Sequence, residues 1–158
     1  MTARLPWGWM ALGAALTVAL GFLSGQVAGS TEANPWFQSL RLPAWQPPGP
    51  VFGIVWSLLY ALMGAAAAIV WRSGHPGRWA ALGVFGLQLA ANLAWSPLFF
   101  AAHEIAAALA LLIGILLLAL GTTLRFARIS RVAAWMLVPY LVWLCYAAVL
   151  NLRILQLN

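Results

Sequence analysis

Gln88, Asn92, Trp95 and Phe99 recur every three or four residues in an uncharged run, so on a helix two carboxamides and two aromatic rings fall within about 60° of one another. An indole or phenyl face stacks on a flat apolar ligand, and a carboxamide offers both a donor and an acceptor to its polar edge. Trp56 and Tyr60 in one further apolar run, and Trp143 and Ala147 in another, offer the same surface. Covalent chemistry is poorly served. The two carboxylates, Glu32 and Glu104, lie at the ends of apolar runs, and no nucleophile has a base beside it. His75 and His103 stand in separate connections without a second ligand, so no metal site is expected. Cys145 is the single cysteine; no disulfide can form within the chain, and the residue reads as a buried, inert thiol.

The elements that must position these residues are membrane spans. Hydrophobic residues make up 65% of 158 positions and charged residues 6%; mean hydropathy is +0.94. Soluble domains carry about a quarter charged residues. Five runs reach the roughly 20 residues needed to cross about 30 Å of hydrocarbon, near 9–29, 51–71, 79–102, 105–124 and 132–152. The expected fold is an all-α, five-transmembrane-helix bundle forming a single domain over 1–158. The first span reads as a retained helix rather than a secretory signal, because its apolar run is long and Trp7 and Trp9 stand at its entry.

Arginine sets the expected orientation. With the N-terminal end as side A, Arg4, Arg72, Arg78, Arg125, Arg128 and Arg131 fall on A, and Arg41 and Arg153 on B. Short loops rich in arginine stay in the cytoplasm, so side A is expected inside, as in a bacterial cell membrane with a cytoplasmic N-terminus. The net charge of +6 is scattered over helix ends, which fits lipid phosphates and argues against nucleic acid. Arg125, Arg128 and Arg131 would share a face if one helix ran through all three, the one hint of an anionic-lipid site.

Depth singles out the recognition residues. Counted from side B at 1.5 Å per residue, Trp56, Tyr60, Asn92, Trp95, Trp143 and Ala147 lie about 7 to 15 Å below the surface. Trp7, Trp9, Trp71, Trp79 and Trp135 sit where interface anchors sit; the three deep tryptophans do not. Core packing is the alternative role for these rings, and interhelical hydrogen bonding serves Gln88 as well as ligand contact would. Above them runs the one long connection, residues 30–50, with Trp36, Phe37, Trp45 and five prolines; it reads as a stiff lid. Gly86, Ala90 and Ala94 cluster on the opposite face of the third span and suit a neighbouring protomer, so a homodimer is expected. Gly13, Thr17, Gly21, Gly25 and Gly29 form a second small-residue stripe, equally suited to internal packing or dimerisation.

Four segments in order, SGQVAGS, NPWFQSLRLPAWQPPGPVFGIVWSLLYALMG, NLAWSPLFF and VPYLVWLCYAAVLN, resemble the TspO/MBR family, the translocator proteins also called peripheral benzodiazepine receptors. The resemblance spans most of the chain. It implies a five-helix bundle, commonly dimeric, that needs no cofactor and binds tetrapyrroles such as protoporphyrin IX, with lipid and, in some members, sterol as further partners. By motif position the family's ligand contacts fall on Phe37, Trp56, Tyr60, Asn92, Trp95, Trp143 and Ala147. It leaves open whether such a pocket serves transport, sensing, light-dependent porphyrin degradation or sterol-linked regulation. The sterol motif of animal members has Tyr and Arg where this chain has Leu152 and Gln156, which argues against sterol binding by that motif.

A reporter fused after Asn158 should report an external location and one at Met1 a cytoplasmic one; the reverse pattern would show that arginine does not set the orientation.

Overall fold

The computed structural model describes residues 5–30 and 32–158, so Arg4, Met1 and the charge they bring to side A lie outside the described residues. Five long helices cross: α1 (Trp7–Ala28), α3 (Gly49–Arg72), α4 (Arg78–Ser96, prolonged by a π-helical turn over Pro97–Ala101), α5 (Ile105–Ala127) and α6 (Arg131–Leu157). A short helix, α2 (Pro35–Ser39), lies within the first connection. The protein is thus an all-α, multi-pass membrane bundle. The expected spans match within a few residues, except that α6 continues five residues past 152.

Local chemistry sets the helix ends. Gly29 takes the left-handed conformation (φ 63°) that closes α1. Asn34 accepts from the N–H groups of Trp36 and Phe37 at 3.0 and 3.1 Å, and Pro35 occupies the first helical position, so part of the lid coils into a helix rather than remaining extended. Pro97 has no N–H to continue the α-helical ladder. The chain answers with a wider turn in which Ala102 donates to the Pro97 carbonyl, and His103 at φ 61° ends it. α5 stops at Ala127 and α6 starts at Arg131, capped by Ser130, so Arg125, Arg128 and Arg131 are not on one helix and the shared face expected for them does not exist.

Lipid offers no hydrophobic drive for helix association, so close packing and hydrogen bonds must hold the bundle. The glycine stripe of α1 supplies both, internally. Gly13 and Gly64 bring α1 and α3 together so closely that a Cβ on either would strike the other's carbonyl, and Gly21 lies under the Tyr60 ring. Thr17 donates to the Tyr60 carbonyl at 2.6 Å, and Ser24 to the Leu93 carbonyl of α4 at 2.6 Å. α3 is the central helix and also packs on α6, while α4, α5 and α6 pack in sequence. Its side-A half is small, Gly64 to Ala68, and there the bundle closes over Met63, Val70, Phe126 and Leu137. Its side-B half carries Phe52 and Trp56, whose rings meet Trp143 and Tyr140 of α6.

The outer surface sorts the remaining residues. Trp7, Trp9, Trp71, Trp79 and Trp135 are all exposed, as interface anchors are, and Arg72 lies over the Trp9 ring at 5.4 Å. Gly86, Ala90 and Ala94 also face outward, with nothing beside Gly86. Cys145 is exposed rather than buried, because two helical residues beyond the inward Trp143 turn it about 200° away.

Gly64→Ala should destabilise the bundle by about 1–3 kcal/mol despite alanine's better helix propensity, whereas Gly86→Ala, with open space around it, should leave stability unchanged or raise it by up to about 1 kcal/mol. Reversible unfolding in mixed micelles measures both, and equal effects would mean that α1 and α3 are not in close contact.

Candidate ligand-binding cavity

Where the side-B halves of the helices part, they enclose a cavity of about 1020 Å³, at the upper end of small-molecule pockets. Phe37, Trp56, Tyr60, Asn92, Trp95, Trp143 and Ala147 all lie on its wall. α6 presents Trp143, Ala147, Leu150, Asn151 and Ile154 as one helical stripe, and α4 presents Asn92, Trp95, Ser96 and Phe99. The π turn carries Phe100 onto the wall beside Phe99; an uninterrupted α-helix would turn these rings differently.

The floor is a buried polar cluster that ties three helices. Gln88 donates to the Tyr140 hydroxyl at 3.0 Å, Tyr140 donates to the Asn92 carbonyl oxygen at 3.0 Å, and Asn92 donates to the Tyr60 hydroxyl at 2.7 Å. The directions run from Gln88 toward the cavity. Tyr60 serves as acceptor, so its own proton remains available to a ligand, with no acceptor for it among the described residues. Gln88 is fully buried behind Tyr140 and off the cavity wall, which gives it the interhelical role rather than ligand contact. Asn92 lines the cavity, but its carbonyl oxygen and one N–H already serve Tyr140 and Tyr60.

The tryptophans differ in what their N–H groups do. Trp95 donates to the Ala108 carbonyl of α5 at 3.1 Å and stacks on Phe99 at 4.9 Å, so it offers a face and no donor. The Trp143 N–H is buried without a partner among the described residues. Trp56 packs against Tyr60 and Tyr140 from the α3 side.

Aromatic contacts hold the lid down. Trp36 stacks on His103 at 4.3 Å, Phe37 meets Phe100 at 5.3 Å and Trp45 meets Tyr146 at 5.8 Å. Glu32 accepts from the Gly49 N–H, bridging the lid's start to the head of α3. The Arg41 main chain is clamped to the Asn158 side chain by bonds of 2.9 and 3.1 Å. Arg41 is exposed and off the cavity wall. Among the described residues no group of His, Cys, Asp and Glu is arranged to hold a metal ion.

Sequence reasoning missed Tyr140, the hub of the floor, and Asn151 and Gln46 on the wall. Tyr140 and Asn151 were within reach of the face argument applied to α4, since they stand three residues before and eight after Trp143.

Five crossing helices around an aromatic-walled cavity beneath the first connection define a multi-pass helical membrane bundle. The profile of the TspO/MBR family matches residues 13–157, and the chain belongs to that family. It is 38% identical to the "Tryptophan-rich protein TspO" of Chlorobaculum tepidum, over 94% of this chain and 95% of that one. It is 37% identical to the "Translocator protein" of Homo sapiens, over 89% and 85%. The "Tryptophan-rich sensory protein" of Cereibacter sphaeroides is 37% identical over 80% and 79%.

Tyr140→Phe leaves Gln88 and Asn92 each short of a partner in an apolar interior, and should cost about 1–3 kcal/mol of stability. Tyr146→Phe, whose hydroxyl makes one long bond at the exposed rim, should cost under about 0.5 kcal/mol in the same unfolding assay.

Proposed function

We propose that the protein binds a tetrapyrrole such as protoporphyrin IX in the side-B cavity and acts as a translocator or sensor for it. The observation that carries this reading is the wall itself: three deep tryptophans from three helices, with Phe37 from the lid, around one cavity of about 1020 Å³. Indole rings provide wide, rigid faces for a macrocycle, and the floor adds the Tyr60 donor. The names of two relatives, one a translocator and one a sensory protein, agree with binding followed by release or signalling.

Binding and release require the lid to move. Its contacts with the body are aromatic pairs and a few exposed hydrogen bonds, each individually weak, while its prolines keep it stiff as it moves. The outward face of Gly86, Ala90 and Ala94 pairs with a second copy, on the wall of α4 opposite Asn92. Orientation follows the arginines, with the lid outside a bacterial cell membrane.

Quenching of tryptophan fluorescence by protoporphyrin IX in the dark should saturate. Trp143→Ala should weaken binding by about 1–3 kcal/mol, whereas Trp79→Ala, at the other interface, should not. Equal losses would mean general destabilisation. Replacing Pro47 and Pro48 together by Gly should chiefly speed release; an unchanged release rate would remove the lid from the account. Illumination should leave the porphyrin spectrum unchanged, and protein-dependent loss of the porphyrin would replace binding by turnover.

A further inference from the structure

Both carboxylates of the chain, Glu32 and Glu104, lie at the side-B ends of the spans, so no acid of this protein stands at side A. Three side-A arginines are taken up by other partners. Arg72 lies over the Trp9 ring at 5.4 Å, Arg78 over the Trp79 ring at 5.2 Å, and Arg125 donates to the Gly121 carbonyl at 3.2 Å. Arg128 and Arg131, at the two ends of the short α5–α6 connection, are exposed and have neither an acceptor nor a ring against them among the described residues. Arg131 is also the first residue of α6, where the helix dipole disfavours a cation, so its charge does not serve the helix.

Beneath Arg131 the outer surface is hollow. A groove of about 330 Å³ runs between α5 and α6, lined by Thr123 and Ala127 from one helix and by Arg131, Ala134, Trp135 and Val138 from the other. Both helices place an alanine here, which leaves space that larger side chains would fill. Thr123 offers no free donor, since its hydroxyl is bonded to the Ala119 carbonyl at 2.8 Å. Arg131 and Val138 are seven residues apart, about 10 Å along the helix, so the guanidinium sits at headgroup level and the rest of the groove reaches into the hydrocarbon.

An occupant must match both ends. A soluble anion would neutralise the arginines and leave the apolar groove empty, and a zwitterionic lipid would fill the groove but bring its own cation to the arginines. A second copy related by a two-fold axis along the membrane normal would set another unneutralised arginine pair at the same level. We propose that the α5–α6 groove binds an anionic phospholipid of the side-A leaflet, its phosphodiester held by Arg131 and Arg128 and one acyl chain laid along Ala127, Ala134, Trp135 and Val138. The guanidinium fork fits two phosphate oxygens at once. In place of one three-arginine helix face, two arginines from adjoining helix ends stand above a groove. The site lies on the outer surface at the opposite end of the bundle from the aromatic cavity, and it does not depend on what that cavity holds.

The test uses the full-length protein, labelled with 5-fluorotryptophan, in phosphatidylcholine nanodiscs into which phosphatidylglycerol is titrated. The Trp135 resonance should shift saturably, with a preference over phosphatidylcholine of about 25-fold, about fivefold for each arginine. Arg131→Gln should lower the preference to about fivefold, whereas Arg72→Gln, whose guanidinium lies over Trp9, should leave it unchanged. Ala127→Leu, at an exposed position, should fill the groove and abolish the saturable shift with both arginines in place. Equal losses from Arg72→Gln and Arg131→Gln would reduce the effect to general attraction by a basic face and overturn the site. An unmoved Trp135 resonance, or a saturable shift that survives Ala127→Leu, would overturn it too. So would displacement of phosphatidylglycerol by sodium phosphate, which would show a site for a soluble anion. Unfolding in phosphatidylcholine alone checks each variant; should Arg131→Gln lower the unfolding temperature, Ala127→Leu decides.

Discussion

The structure depends on one buried amide. Asn92 is held between the hydroxyls of Tyr140 and Tyr60, and that grip joins α4 to α6 and α3 at a single depth. Gln88 and Tyr140 are fully buried behind it, so these bonds, made where lipid gives no hydrophobic drive for helix association, help set how far apart the three helices stand. Below the cluster the bundle is close-packed around small residues of α3. Above it the same helices carry Trp56, Trp95 and Trp143, and the space between them stays open. The cluster is therefore the floor of the cavity as well as a joint of the bundle.

This division of labour explains the two kinds of small-residue face. On α1 the stripe is consumed internally, because Gly13 against Gly64 lets two backbones meet and lets Thr17 reach the Tyr60 carbonyl. That bond steadies the turn of α3 that presents Tyr60 to the cavity. On α4 the small face looks outward while the amide and aromatic face looks inward. One helix thus carries part of the cavity wall on one side and an exposed small-residue face on the other.

The sequence made the spans and the wall legible for different reasons. Hydropathy marked the spans because lipid tolerates little else, and the loop at 30–50 stood out by its length. The deep tryptophans could be placed by counting from the helix ends, since depth is linear in residue number. What counting could not give is direction. Cys145 lies at the same depth as Trp143 yet points outward, and Gln88 shares the Asn92 face yet is spent on Tyr140. Which arc of α6 turns inward is set by α3 and α5 packing against it, and only with Trp143 placed inward do Tyr140 and Asn151 follow from helical spacing. The helical turn at Pro35–Ser39 and the π turn at Pro97 are local events in which a missing N–H or a capping amide outweighs the average pattern.

The central claim is that a flat ligand sits among the deep tryptophans and beneath the lid. Ring currents of a porphyrin reach only a few ångströms beyond its edge, so the ten tryptophans, labelled with 5-fluorotryptophan and assigned by single replacement, form a depth gauge. Titration with protoporphyrin IX should shift the fluorine resonances of Trp56, Trp95 and Trp143 strongly, while those of Trp7, Trp71, Trp79 and Trp135 stay in place. Shifts confined to the exposed tryptophans, with the three deep ones unmoved, would contradict the account.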